Sequence, residues 1–278
     1  MFLMSILDYE FMQRAFLVGI LLAATVPCIG IIVVLKRLSM MGDALSHTSL
    51  AGVAAGLVLG INPVLGAIAT CIAAALGIEA IRKRIPKYSE LSIAIIMSAG
   101  IGLAGVLSSF VKSAANFNSF LFGSIVAISD FELILVCCIS AAVLLCFLLL
   151  YKELFLIALD ERTARLAGVP VKAVNFVFTI LTAVTVSVAA RTVGALIVSS
   201  LMVIPVTCAM QISKSYRQTV LWSIFFALSF TVSGLFLSYY ARLRPGATIV
   251  LIGVIILILI LLVKWAASGR KRSFHNAP

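Results

Sequence analysis

Stretches of about 20 residues with almost no charge follow one another along this chain, and that recurrence limits its fold more than any other feature. A helix rises about 1.5 Å per residue, so about 20 apolar residues cross roughly 30 Å of hydrocarbon. Nine stretches meet the pattern: 15–35, 38–60, 64–81, 91–111, 133–151, 173–190, 192–212, 219–240 and 247–263. Asn62-Pro63 divides what would otherwise be one uncharged run over 48–78. With 63% hydrophobic and 11% charged residues, the chain has more apolar side chain than one water-soluble core can hide. The expectation is an all-α integral membrane protein, a polytopic bundle of about nine transmembrane helices, or eight if one segment is re-entrant. Secreted disulfide scaffolds, disordered tails and nearly all soluble enzymes are excluded.

A net charge of +11 in a soluble protein would point to nucleic acid, but in a membrane it reads as topology. With the N-terminus outside, sixteen Lys and Arg fall on the inner side, among them Lys36, Arg82, Lys83, Lys87, Arg162 and the tail cations Arg270, Lys271 and Arg272. Five fall outside: Arg14, Lys112, Arg191, Arg242 and Arg244. That asymmetry predicts an outer N-terminus and an inner C-terminal tail over 265–278. The opening MFLMSILDYEF lacks a basic region and a cleavage signature, so no signal peptide is expected. Cys28, Cys71, Cys137, Cys138, Cys146 and Cys208 all fall in apolar runs with no C-x-x-C pair. They read as small buried hydrophobes, with metal ligation as the lesser alternative.

Ionisable groups inside a span are costly, about 2.5 to 3.5 kcal/mol on insertion scales. Asp43 and His47 stand out in the run MGDALSHTSLAGVA, four residues apart and hence on one helical face. An oxygen and a nitrogen ligand together suit zinc or manganese better than calcium or magnesium. The plainer reading stays open: Asp43 as a helix cap after Gly42, and His47 bonded to a neighbouring carbonyl. Arg191 reads first as a snorkelling interfacial arginine, with an outer-mouth or interhelical ion pair as the alternative. Pro205 is expected to kink its helix, Met40 and Met41 to act as filler or soft ligands, and Gly52, Gly56 and Gly60 to form a packing ridge.

The longest inner loop, 152–172, contains LDERTARLAGVPV. Asp160 and Glu161 open a short helix there, Arg162 and Arg165 decorate it, and Gly168 with Pro170 end it. Such a helix is either an anchor for a cytosolic partner or a solvated connector. The chain has no G-x-x-x-x-G-K-[ST], H-E-x-x-H or G-x-S-x-G motif, so it is not expected to be an enzyme or to hydrolyse ATP itself.

The run MGDALSHTSLAGVA after LKR, then LFGSIVAIS, LDERTARLAGVPV and VGALIVSSLMVIPVTCAM, resembles the permeases of bacterial metal-ion ABC transporters over nearly the whole chain. The resemblance implies a single permease domain over 1–278 with the ABC importer permease fold, in the bacterial cytoplasmic membrane. It implies a homodimer working with a cytosolic ABC ATPase dimer and an extracytoplasmic metal-binding protein, with no cofactor and with zinc, manganese or iron as cargo. Asp43 and His47 match the G-D-x-x-S-H run associated with the metal path. Asp160, Glu161, Arg162, Arg165, Gly168 and Pro170 lie in the loop associated with coupling to the ATPase. VGALIVSSLMVIP and HTSLAGVA look more like the zinc members, since the manganese ones are expected to have Ala-x-Leu-Pro after the histidine. Related importers with ten spans have both termini inside, so loss of the first span agrees with the charge count. The rival readings are a self-sufficient metal carrier or channel, and a structural or signalling membrane subunit.

Overall fold

A computed structural model describes residues 9–85, 88–111, 128–194 and 198–275, with backbone alone for 268–275. Among the described residues the chain forms eleven helices: α1 Glu10–Leu35, α2 Met41–Leu59, α3 Pro63–Arg84, α4 Ser89–Ser108, α5 Asp130–Leu149, α6 Tyr151–Leu159, α7 Glu161–Leu166, α8 Val171–Thr192, α9 Val198–Ile212, α10 Tyr216–Ala241 and α11 Pro245–His275. A helix satisfies its own backbone polar groups, which hydrocarbon cannot do, so long apolar segments settle into this form.

The nine expected spans correspond to nine of these helices, but only seven are long and apolar enough to cross a membrane. Among the described residues the count of eight or nine is therefore not confirmed. Helix α2 has the length, but Asp43, Ser46, His47, Thr48 and Ser49 make its first half polar. Helix α9 has 15 described residues, about 23 Å, and α8 runs on to Thr192 at the start of the expected span 192–212. Pro205 lies inside α9, which continues through it.

Helix ends follow their local chemistry. Asn62 Oδ1 accepts the Val64 N–H at 2.9 Å ahead of Pro63, so the Asn-Pro pair starts α3. Ser129 and Glu132 form a reciprocal capping box at α5. Gly60 has φ +70° and ends α2 in the left-handed region, which its missing Cβ allows. Nothing lies within 4 Å of where its Cβ would stand, so Gly60 is a cap rather than part of the expected ridge.

Gly52 and Gly56 do form that ridge. A Cβ on Gly52 would run into Thr70 Oγ1 and the Gly66 carbonyl, so α2 and α3 meet backbone to backbone. Thr70 Oγ1 donates to the Thr48 carbonyl across the same contact at 3.2 Å. Gly100 brings α4 onto α2 at Thr48. Of the seven spans, α1 and α8 are the most enclosed, with 72% and 67% of their apolar windows buried against 22% for α4 and α11. The centre of the bundle is thus α1 and α8, with α2 held between α3, α4, α8 and α9. Cys28, Cys71 and Cys208 are buried, whereas Cys138 is exposed and Cys137 and Cys146 half-buried, which corrects the expectation of six buried thiols.

Candidate functional site

Helix α2 has an unusual exposure pattern. From Met41 to Ala54 every residue is buried except Asp43 and His47. Residues four apart share one helical face, so the carboxylate and the imidazole are the two half-buried side chains on one face of an otherwise buried stretch. Farther along that face Ala55 is half-buried and Leu59 exposed, while Ala51 between them is buried.

Asp43 does not cap the helix. The N-cap is Met40, which makes no side-chain cap bond, and Asp43 lies in the first turn, where the helix dipole favours a negative charge. Its Oδ1 accepts a 2.6 Å hydrogen bond from Ser199 Oγ of α9. Gly42 allows this approach, because a Cβ there would meet Met202 Cε at 2.7 Å and Ser199 Oγ at 3.0 Å. His47 makes no hydrogen bond among the described residues, so the plainer reading, a histidine bonded to a nearby carbonyl, is not what the structure shows. No group of three or more His, Cys, Asp or Glu suited to a metal occurs among the described residues. One chain therefore offers two ligands here. Met41 is buried and Met40 exposed; neither gives a thioether cluster.

A second polar centre lies where α1 ends. Lys36 Nζ donates to Asn175 Oδ1 at 2.6 Å, and Asn175 Nδ2 donates to Glu161 Oε1 at 3.1 Å. Glu161 also faces Lys36 at 3.8 Å and Arg165 at 3.6 Å. The Lys36 side chain is only 7% exposed and sits 5.9 Å from the Phe178 ring centroid. Burial, with help from nearby Arg82, lowers the Lys36 pKa to about 8, while Glu161 and Glu79 pull it upward. Cavities of about 400 and 480 Å³ adjoin this centre, and Arg82, Glu161 and Arg165 line both.

Asp160 caps α7. It accepts from the Thr163 hydroxyl at 2.6 Å and from the backbone N–H groups of Arg162 and Thr163, and these bonds hold its carboxyl below the ordinary range. On α7 only Ala164 is buried; Arg162 and Arg165 are exposed, and Leu166 is 90% exposed. Gly168 ends the segment at φ +82°, and Pro170 starts α8. At the other end of α1, Arg191 and Glu132 form a 2.7 Å ion pair, so Arg191 is not simply snorkelling. Lys87, Lys112, most of LFGSIVAIS, Ala195–Ile197 and the side chains of Arg270, Lys271 and Arg272 lie outside the described residues.

Sequence reasoning missed Ser199, Lys36 and Asn175 as site residues. Asn175, a lone amide near the start of an apolar run, was the available signal. Ser199 carried none, because a serine among small residues looks like helix packing.

The model of the ABC 3 transport family matches residues 8–264. A Treponema pallidum protein named a probable metal transport system membrane protein is 34% identical over 255 residues, covering 92% of this chain and 96% of its own. The manganese transport system membrane protein MntC of Listeria monocytogenes is 34% identical over 258 residues, covering 92% and 91%. Further relatives, both from Haemophilus influenzae, carry names for an iron transport system and a high-affinity zinc uptake system. Among solved structures, PsaBC from Streptococcus pneumoniae in complex with Fab superposes with a TM-score of 0.83 at 27% identity, covering 93% of this chain and 94% of that one.

Proposed function

Since the chain belongs to the ABC-3 transport family, we propose that a divalent metal ion crosses between two copies of it, past Asp43 and His47. The protein is the membrane subunit of a metal-ion ABC importer, a transporter and not an enzyme, with its ATPase on a separate subunit. The observation that carries the path is the exposure of Asp43 and His47 alone on the buried part of α2. A half-exposed carboxylate and imidazole facing lipid would be costly, whereas a second protein surface or a water-filled path accommodates them. Two copies would bring two carboxylates and two imidazoles together, a ligand set of the size that structural zinc sites use. The homodimer is part of this proposal.

Zinc is the ion that the sequence wording favours. Manganese is the second reading, favoured by the name of the 34% identical Listeria relative, and both ions accept nitrogen and oxygen ligands. A loaded extracytoplasmic binding protein docks at the outer mouths, and the ATPase docks on α7, where the exposed Leu166 supplies an apolar anchor beside Arg162 and Arg165. Asp160 and Gly168 fix the two ends of that helix, and Pro170 leads it into α8. The N-terminus lies outside and the tail inside; the gathering of Lys36, Arg82, Lys83 and Arg165 at one end of the bundle supports that orientation. ATP-driven closure of the ATPase pair then biases the spans between outward and inward arrangements, which requires that the two arrangements bind their partners with different affinity.

Uptake of zinc-65 and manganese-54 by a strain relying on this transporter tests the path. His47→Ala and Asp43→Asn are expected to abolish uptake with the assembly intact, and normal uptake by both variants rejects the path. Gradient-driven transport by the purified chain alone in liposomes would instead make it a self-sufficient carrier.

A further inference from the structure

The connection from α1 to α2 is an elbow held through one residue. The Leu38 N–H donates to the Val33 carbonyl of α1 at 2.9 Å, and the Leu38 carbonyl accepts from Met41 N, the first residue of α2, at 2.8 Å. Leu38 is itself 6% exposed, so it is anchored by packing as well. Arg37 beside it has φ +58°, a left-handed conformation that a non-glycine residue adopts only when its surroundings hold it there. Short, doubly bonded and packed, the elbow joins Lys36 to the turn bearing Asp43.

Lys36 is in turn bound on its other side. Asn175 reads Lys36 with its carbonyl oxygen and Glu161 with its amide, so α1, α7 and α8 share one node. Glu161 is the first residue of the exposed helix α7. Packed side chains and hydrogen-bond networks can carry coupling between distant sites, and here such contacts run without a break from α7 to the turn bearing Asp43.

We propose that Lys36 is the positioning residue of transport coupling, held by Glu161 and Asn175 so that a push on α7 turns the Leu38 elbow and moves Asp43. The proposal rests on the reading of α7 as the ATPase-docking helix. Lys36 acts through the Leu38 elbow; it sets how much of the ATP-driven motion arrives at the metal path.

The experiment uses the full transporter, permease with its ATPase and binding protein, in ATP-loaded proteoliposomes supplied from outside with manganese and, separately, zinc. Two quantities are read: ATP hydrolysed per ion imported, and disulfide cross-linking of Leu166→Cys to single cysteines on the ATPase face. Lys36→Met should leave cross-linking and ATP hydrolysis in place and raise the ATP used per ion about 2- to 30-fold, the range over which such networks modulate coupling. Lys36→Arg should restore most of the ratio, and so should the exchange Lys36→Glu with Glu161→Lys, which guards against a merely misfolded single variant. An unchanged ratio in Lys36→Met with normal cross-linking overturns the proposal while leaving the docking reading intact. Absence of any Leu166 cross-link in the otherwise unchanged transporter overturns the docking reading, and the proposal with it.

Discussion

Ser199 donates a 2.6 Å hydrogen bond to Asp43 Oδ1 and thereby ties the start of α9 to the first turn of α2. The carboxylate proposed to meet the ion is thus held on one oxygen by a residue 156 positions away in the chain. Such outer partners of metal ligands typically account for about 10- to 100-fold in affinity or activity. Ser199→Ala is expected to raise the ion concentration for half-maximal uptake about 10-fold with little change in expression, as radioactive uptake curves would show; an unchanged curve means that Ser199 only packs.

The glycines of α2 and α4 separate crowded from open positions. Gly52→Val would drive side-chain atoms into Thr70 and the Gly66 carbonyl, an overpacking that typically costs about 1 to 3 kcal/mol. Gly102 and Gly105 have nothing within 4 Å of a Cβ, and alanine there gains up to about 1 kcal/mol in helix propensity. Fluorescence-detected thermal unfolding in detergent should therefore show a clear loss for Gly52→Val and none for Gly102→Ala or Gly105→Ala.

Arg191 and Glu132 pair with side chains 17% and 11% exposed, joining α8 to α5. Removing one partner of a buried pair leaves a stranded charge at a cost of about 3 kcal/mol. Arg191→Met should lower the unfolding temperature markedly. Adding Glu132→Gln should recover most of it, since the amide oxygen can still accept the Ser129 N–H of the capping box.

The lowered pKa of Lys36 gives a pH signature. Its amine is bonded to Asn175 of α8 and feels the charges of Glu161 on α7, which itself pairs with Arg165, and of Glu79 and Arg82 on α3. Between about 8 and the ordinary lysine value near 10.4, the unfolded chain holds this proton more tightly than the folded one. From this group alone, stability then rises with pH across that window. Its ion pair with Glu161, however, disappears above about pH 8. ATP used per ion should therefore increase as pH passes about 8 without a matching loss of thermal stability, and Lys36→Arg should flatten the rise.

Much of the bundle was legible because each stretch of about 20 uncharged residues has few alternatives in lipid. The Asn62-Pro63 break, the Asp160 cap and the Gly168 terminator were local chemistry and could be read one residue at a time. The end of α8 at Thr192 was missed because apolarity continues across the boundary, although Gly194, at φ +110° just past it, terminates the helix. In the site, Asp43 and His47 were visible as rare ionisable residues at helical spacing. Ser199, Lys36 and Asn175 join the picture only through packing between segments far apart in sequence. Lys36 was counted as one more inner-side cation, yet its side chain is 7% exposed and bonded to Asn175.

Metal stoichiometry of the assembled transporter addresses the central claim most directly. Equilibrium dialysis against zinc and manganese, with metal and protein counted by mass spectrometry, is expected to give one ion per two permease chains, lost when Asp43→Asn and His47→Ala are combined. One ion per single chain, or binding that survives the double substitution, would contradict a site shared between two copies through these side chains.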